Sequence, residues 1–150
     1  MSIVVNAPVA REHRVRLGPD DGVAHHAAVY AQTLLTLMRW PGSVVTASIV
    51  TGYLVDNAYR FGRDPRNPGA EIVLRLAVAD DDYLLVAVTD HVPSFPNFLE
   101  AVDRKPARDG RISGLCWVRR VCAQIHCVLN VGAGTKTVQA LLAPGVSYEV

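Results

Sequence analysis

What most constrains this chain is the placement of two long helical patterns back to back, ahead of any apolar hairpin. Beyond Gly18-Pro19, the residues Val23, Ala27, Tyr30, Leu34, Leu37 and Met38 recur mostly at spacings of three and four, the period of one helix face. Asp20 or Asp21 stands where a carboxylate can accept the orphan amides of such a helix. Pro41-Gly42-Ser43 breaks the pattern, and a second helix is predicted from about Val44 to Phe61, closed by Gly62 as a C-cap. Its β-branched residues make it a mediocre isolated helix, so tertiary burial must hold it. Apolar positions 45, 49, 50, 54, 55 and 58 supply a core stripe, whereas Tyr53 and Asn57, four apart, share a different face. Two such stripes need a sheet to cover them.

The rest of the chain supplies one. Residues 11–17 alternate weakly and read as an edge strand, and Glu71–Ala79 with Tyr83–Thr89 form a hairpin around Asp80-Asp81-Asp82. Turns favour Asp for backbone reasons, so these three carry no assigned chemistry. Gly114 opens a shorter helix whose Leu115, Val118, Val121 and Cys122 face the sheet, and strands near Cys127–Val131 and Lys136–Leu142 flank Gly132-Ala133-Gly134. The intervening segment, about 91–112, is long and irregular, as lids and binding loops are. This order predicts an α+β two-layer sandwich: a mixed, mainly antiparallel sheet with about three helices on one face.

Charge narrows the partners. Fifteen Lys plus Arg against fourteen Asp plus Glu, a net charge of +1, leave no long-range field for a polyanion, which argues against nucleic acid. No apolar run approaches the roughly eighteen residues that a spanning helix needs, and Met1-Ser2-Ile3-Val4-Val5 lacks the basic start of a secretory signal. The expected setting is the cytosol, and the expected organisation is one domain over 1–150 with its core at about 14–143. A chain of this size closes a core without disulfides or structural metal. Cys116, Cys122 and Cys127 lack metal-ligand spacing and read as buried thiols; His25-His26 point about 100° apart and read as a solvated edge.

Four blocks, in order, then carry a resemblance. They are Leu54-Val55-Asp56-Asn57-Ala58-Tyr59-Arg60-Phe61-Gly62, then Leu85-Val86-Ala87-Val88-Thr89-Asp90 with His91-Val92-Pro93-Ser94-Phe95-Pro96, then Gly114-Leu115-Cys116-Trp117-Val118, and Gly134-Thr135-Lys136-Thr137-Val138. Together they resemble the GHKL, or Bergerat-fold, ATP-binding domain of histidine kinases and gyrase, in particular its single-domain branch of anti-sigma-factor serine kinases. The resemblance implies that Asn57 ligates the Mg²⁺ bridging the triphosphate, with an amide oxygen as a suitable hard ligand. It implies that Asp90 accepts a hydrogen bond from the adenine amino group, that the amides at Gly114 meet phosphate, and that Thr137 contacts adenine. Arg60 adds a local positive charge for the triphosphate.

Departures from the family pattern are as informative. The family's general base is a Glu four residues before the Asn, and here that position is Tyr53, a phenol with a reference pKa near 10. Asp56 is rotated about 100° from Asn57. The glycines that follow the adenine Asp in the wider superfamily are absent, Phe61 replaces the N-box His, and Ile112 breaks the glycine pair before Leu115. These changes imply that ATP and Mg²⁺ binding is weakened or lost.

The resulting expectation is a degenerate, anti-sigma-like ATP-binding regulator with little or no kinase activity. Its partner would be a sigma factor or an anti-sigma antagonist, and family members commonly form homodimers. Two alternatives stay open. One is an active serine/threonine kinase with an unusual base; the other is an interaction module that binds no nucleotide, with Phe95, Phe98 and Leu99 of the loop filling the old pocket or docking a partner.

Overall fold

A computed structural model describes residues 7–103 and 114–145. Along the chain run β1 (Val9–Leu17), α1 (Val23–Leu37), α2 (Val44–Phe61), β2 (Ile72–Ala79), β3 (Leu84–Asp90), α3 (Phe98–Val102), α4 (Gly114–Val121), β4 (Gln124–Asn130) and β5 (Thr135–Leu142). The strands form one five-stranded sheet in the order β1-β2-β3-β5-β4. The expected two-layer α+β architecture is found. The sheet differs from expectation in one respect: among the described residues every strand pair is antiparallel, with no parallel pair to make it mixed.

Strand alternation decides what each sheet face does. Leu74, Leu76, Val78, Leu84, Val86, Val88, Val138, Ala140 and Leu142 turn to the helices and join the main core. The opposite face carries a smaller apolar group of Ala77, Leu85, Ala87 and Leu141, with Tyr83 packed against it. Asp90 and Lys136, partners in the β3–β5 register, end the helix-facing rows, whereas Thr89 and Thr137, also partners, belong to the other face.

The two long helices pack through small residues. Val23, Ala27, Ala31 and Leu35 form the buried row of α1, and a Cβ on Gly52 of α2 would already touch Ala28. This close approach rotates α1 from its expected phase: Tyr30, Leu34 and Met38 are only partly buried, and Leu37 is 74% exposed. Neither Asp20 nor Asp21 caps α1, whose N-cap is Gly22 at φ 84° without a side-chain bond. Asp21 instead accepts the Tyr59 hydroxyl at 2.5 Å, which ties the start of α1 to the end of α2. Ser43 caps α2 by accepting the Thr46 amide at 3.2 Å, and Gly62 closes it as expected.

Trp40, buried at the α1–α2 corner, fixes that corner to the hairpin by donating its indole N–H to the Asp82 carbonyl at 2.7 Å. Asp80 and Asp81 are exposed, and Asp81 accepts the Tyr83 amide at 3.2 Å, so the aspartates serve the turn. His25 and His26 are exposed. Cys116 and Cys122 are buried and Cys127 half-buried, with no disulfide among them. Of the lid-like segment, residues 91–103 are described and include α3; 104–112, with Gly110 and Ile112, lie outside the described residues.

Candidate functional site

A cavity of about 550 Å³ opens between α2, the segment after β3 and the start of α4. Helical spacing places Tyr53, Asn57 and Phe61 on it one turn apart, with Asp56 at its edge. Val92, Ser94, Phe95 and Pro96 form the facing wall, Gly114 and Leu115 come from α4, and Lys136 reaches it from β5.

The sequence-derived site residues separate into two groups. Asn57 and Gly114 line the cavity together. Asn57 Oδ1 is buried and has no hydrogen-bond partner, an orphaned acceptor of the kind a bound cation or donor would satisfy. Gly114 lies under the Tyr53 ring, where a Cβ would fall 2.8 Å from Tyr53 Cδ1. That ring also meets Trp117 edge-on at 5.5 Å, so the phenol is packed between two parts of α4. Tyr53 remains 40% exposed and Phe61 68% exposed at the rim.

Arg60, Thr137 and Asp90 are placed otherwise. The Arg60 guanidinium pairs with Asp56 at 2.9 Å, one turn back on α2, and lines a second space of about 430 Å³ with Asp21, Tyr59 and Arg63. It therefore adds no positive charge to the main cavity wall. Thr137 is on the far face of the sheet, its hydroxyl 2.7 Å from that of Thr89, and the contact with an adenine on the helix side is corrected accordingly. The motif names the right strand but carries no phase; strand alternation gives the cavity-facing position to Lys136.

Asp90 ends β3 behind the cavity wall, 2% exposed, and meets the lining through Lys136 and Val92. Its Oδ1 accepts the Val92 amide at 3.0 Å and Lys136 Nζ at 3.1 Å, while Oδ2 is 3.0 Å from the same ammonium. Burial pushes the Asp90 carboxyl above its ordinary range, opposed by the Val92 amide and by Lys136. Lys136, equally buried, is the residue that motif reading overlooks. Its parity with Val138, Ala140 and Leu142 was the available signal.

A nucleotide with Mg²⁺ is what the resemblance implies for such a cavity, and the residues fit it at one end only. Asn57, with its buried and unpartnered Oδ1, suits a hard cation. Among the described residues no cluster of three His, Cys, Asp or Glu could hold a metal without such a ligand. The base end does not fit, because Asp90 is taken and Thr137 faces away.

No sequence family and no curated protein sequence matches this chain. Solved structures do match. The crystal structure of the RsbU and RsbW domains of Rv1364c from Mycobacterium tuberculosis superposes with a TM-score of 0.65 at 15% identity, covering 90% of this chain and 33% of that one. The crystal structure of the SiaB–SiaC complex from Pseudomonas aeruginosa gives 0.64 at 12% identity, covering 87% and 88%. The likeness is one of fold. This chain spans about a third of the mycobacterial chain, so that protein's wider activity does not transfer with it.

Proposed function

We propose that this chain is a regulatory protein that acts by binding a partner protein on a GHKL-type scaffold, without phosphotransfer of its own. The resemblance points to a sigma factor or an anti-sigma antagonist as the partner. One of the structural neighbours, the SiaB–SiaC pair, is itself a complex of two proteins.

The observation that carries the reading is the lack of a base among the described residues that line the cavity. Tyr53 stands one turn before Asn57, and its ring is packed on Gly114 and Trp117. Among the described lining residues Asp56 is the one carboxylate, and Arg60 holds it at 2.9 Å. A general base must reach the proton it takes and have a pKa near the working pH; a phenol fails the second condition and a paired, rotated carboxylate the first.

The test incubates the purified chain with labelled Mg-ATP, alone and with sigma factors and antagonist proteins from the same source. The expected result is stable partner binding with no phosphate transfer or hydrolysis above the protein-free rate. Phosphate transfer to a bound partner would overturn the proposal.

A further inference from the structure

The base end of the cavity contains a cation of the protein's own. Lys136 is 2% exposed, and its ammonium contacts Asp90 Oδ2 at 3.0 Å, Asp90 Oδ1 at 3.1 Å and the Val92 carbonyl at 3.4 Å. The ammonium donates to Asp90 Oδ1 and to the Val92 carbonyl, and its charge is paired with Oδ2 as well. Phe95, itself part of the cavity wall, holds its ring 5.5 Å from Nζ and stacks edge-on with Phe98 at 5.0 Å. On the other side of the carboxylate, a Cβ at Gly62 would fall 2.2 Å from Asp90 Oδ2, so the backbone there fills the remaining approach.

We infer that Lys136 is a resident occupant of the base end, holding through its ammonium the acceptor that an adenine amino group would need, so that the cavity rejects adenine nucleotides. The inference rests on the GHKL reading of this cavity. A nucleobase amino group arriving there would lose its water and find Oδ1 taken by two donors and Oδ2 paired with the ammonium and closed off by the Gly62 backbone, the arrangement by which polar sites discriminate most strongly. Displacing Lys136 instead would strand a buried ammonium, which is costlier still. The block is local to that carboxylate, because Asn57 Oδ1, also in the cavity lining, keeps no partner. Lys136 therefore sets which ligand enters, without belonging to any reacting group.

Calorimetric titrations of Mg-ATP, Mg-GTP and magnesium tripolyphosphate into the parent and into Lys136→Ala test it. Lys136→Ala should bind Mg-ATP roughly tenfold or more tighter than the parent, the value of one hydrogen bond to a charged acceptor, with no matching gain for GTP or tripolyphosphate. Equal ATP affinity in parent and variant, or an equal gain for all three ligands, overturns the inference. Should Lys136→Ala fail to fold, side-chain NMR of the parent decides: Lys136 and Asp90 resonances unmoved by Mg-ATP support it, and their displacement overturns it. A parent that binds ATP tightly yet transfers no phosphate removes this inference and leaves the partner-binding proposal standing; phosphate transfer removes that proposal.

Discussion

Lys136 and Asp90 face each other across the β3–β5 pair, Nζ 3.0 Å from Oδ2, and each is 2% exposed. Removing one member strands the other's charge, which in buried pairs costs about 3–5 kcal/mol, whereas replacing both with apolar residues of similar size is often close to neutral. Asp90→Ala should therefore lower the urea midpoint sharply, and Asp90→Leu combined with Lys136→Met should recover most of the loss. Additive single-variant losses in the double variant would contradict a direct pair.

Gly62 is required by this carboxylate rather than by its own dihedrals. Its φ of −109° is open to any residue, but an added Cβ would lie 2.2 Å from Asp90 Oδ2, 2.3 Å from Cγ and 2.7 Å from the Ala58 carbonyl. Overpacking of this kind costs about 1–3 kcal/mol. Gly62→Ala should destabilise by that amount in the parent and by less in an Asp90→Ala background, measured by denaturant unfolding of all four proteins.

The same two residues show what the sequence discloses. The bounds of α2 and of the first hairpin were legible because caps, turns and apolar periods agree there, and Asn57 could be placed on a shared face with Tyr53 from spacing alone; in the second hairpin β4 begins at Gln124, three residues before the expected Cys127. The rotation of α1 was not, since Ala31 looks neutral in a hydrophobic pattern yet is fully buried, and the small residues that meet Gly52 of α2, Ala24 and Ala28, leave no mark on the apolar period. Arg60 had a readable partner in Asp56, four residues back, which a motif-centred reading passes over. Thr137 went to the wrong face because a linear motif does not say which of two adjacent residues points inward. The chemistry of Asp90 was hidden most deeply: Lys136 is 46 positions away, and the pair follows only from the strand register.

Tyr53 and Gly114 form a second testable contact. A Cβ on Gly114 would meet Tyr53 Cδ1 at 2.8 Å, but the ring is 40% exposed and can swing outward. Gly114→Ala should thus cost only about 1 kcal/mol and alter Trp117 fluorescence, because Trp117 touches the same ring at 5.5 Å. Tyr53→Ala should remove the added cost of Gly114→Ala, and a double-mutant cycle with no coupling would refute the contact.

Acid should act on the β1–β2 edge and at the base end with opposite signs. The Arg75 guanidinium, followed by Arg14, holds the Glu12 carboxyl down to about 2, against an ordinary value of 4.5. Arg75 donates to it through Nε at 3.0 Å and Nη2 at 3.2 Å, bridging the first two strands. A lowered folded pKa means the unfolded chain binds the proton more readily, so this pair's stabilisation is complete above about 4.5 and is lost as the pH falls towards about 2. Glu12 is about a third exposed, and solvent screening holds the contribution to about 1 kcal/mol or less. Asp90 is shifted the other way, upward from 3.8 by burial, so the folded state binds its proton more readily and stability falls as pH rises from 3.8 through the raised value. Unfolding followed from pH 2 to 7 should show the low-pH loss flattened by Glu12→Gln, whereas Lys136→Met, which removes the group opposing the upward shift of Asp90, should be most destabilised at neutral pH and recover as Asp90 is protonated. A Glu12→Gln profile that keeps the parent's slope between about 2 and 4.5 would exclude the Glu12–Arg75 bridge as its source.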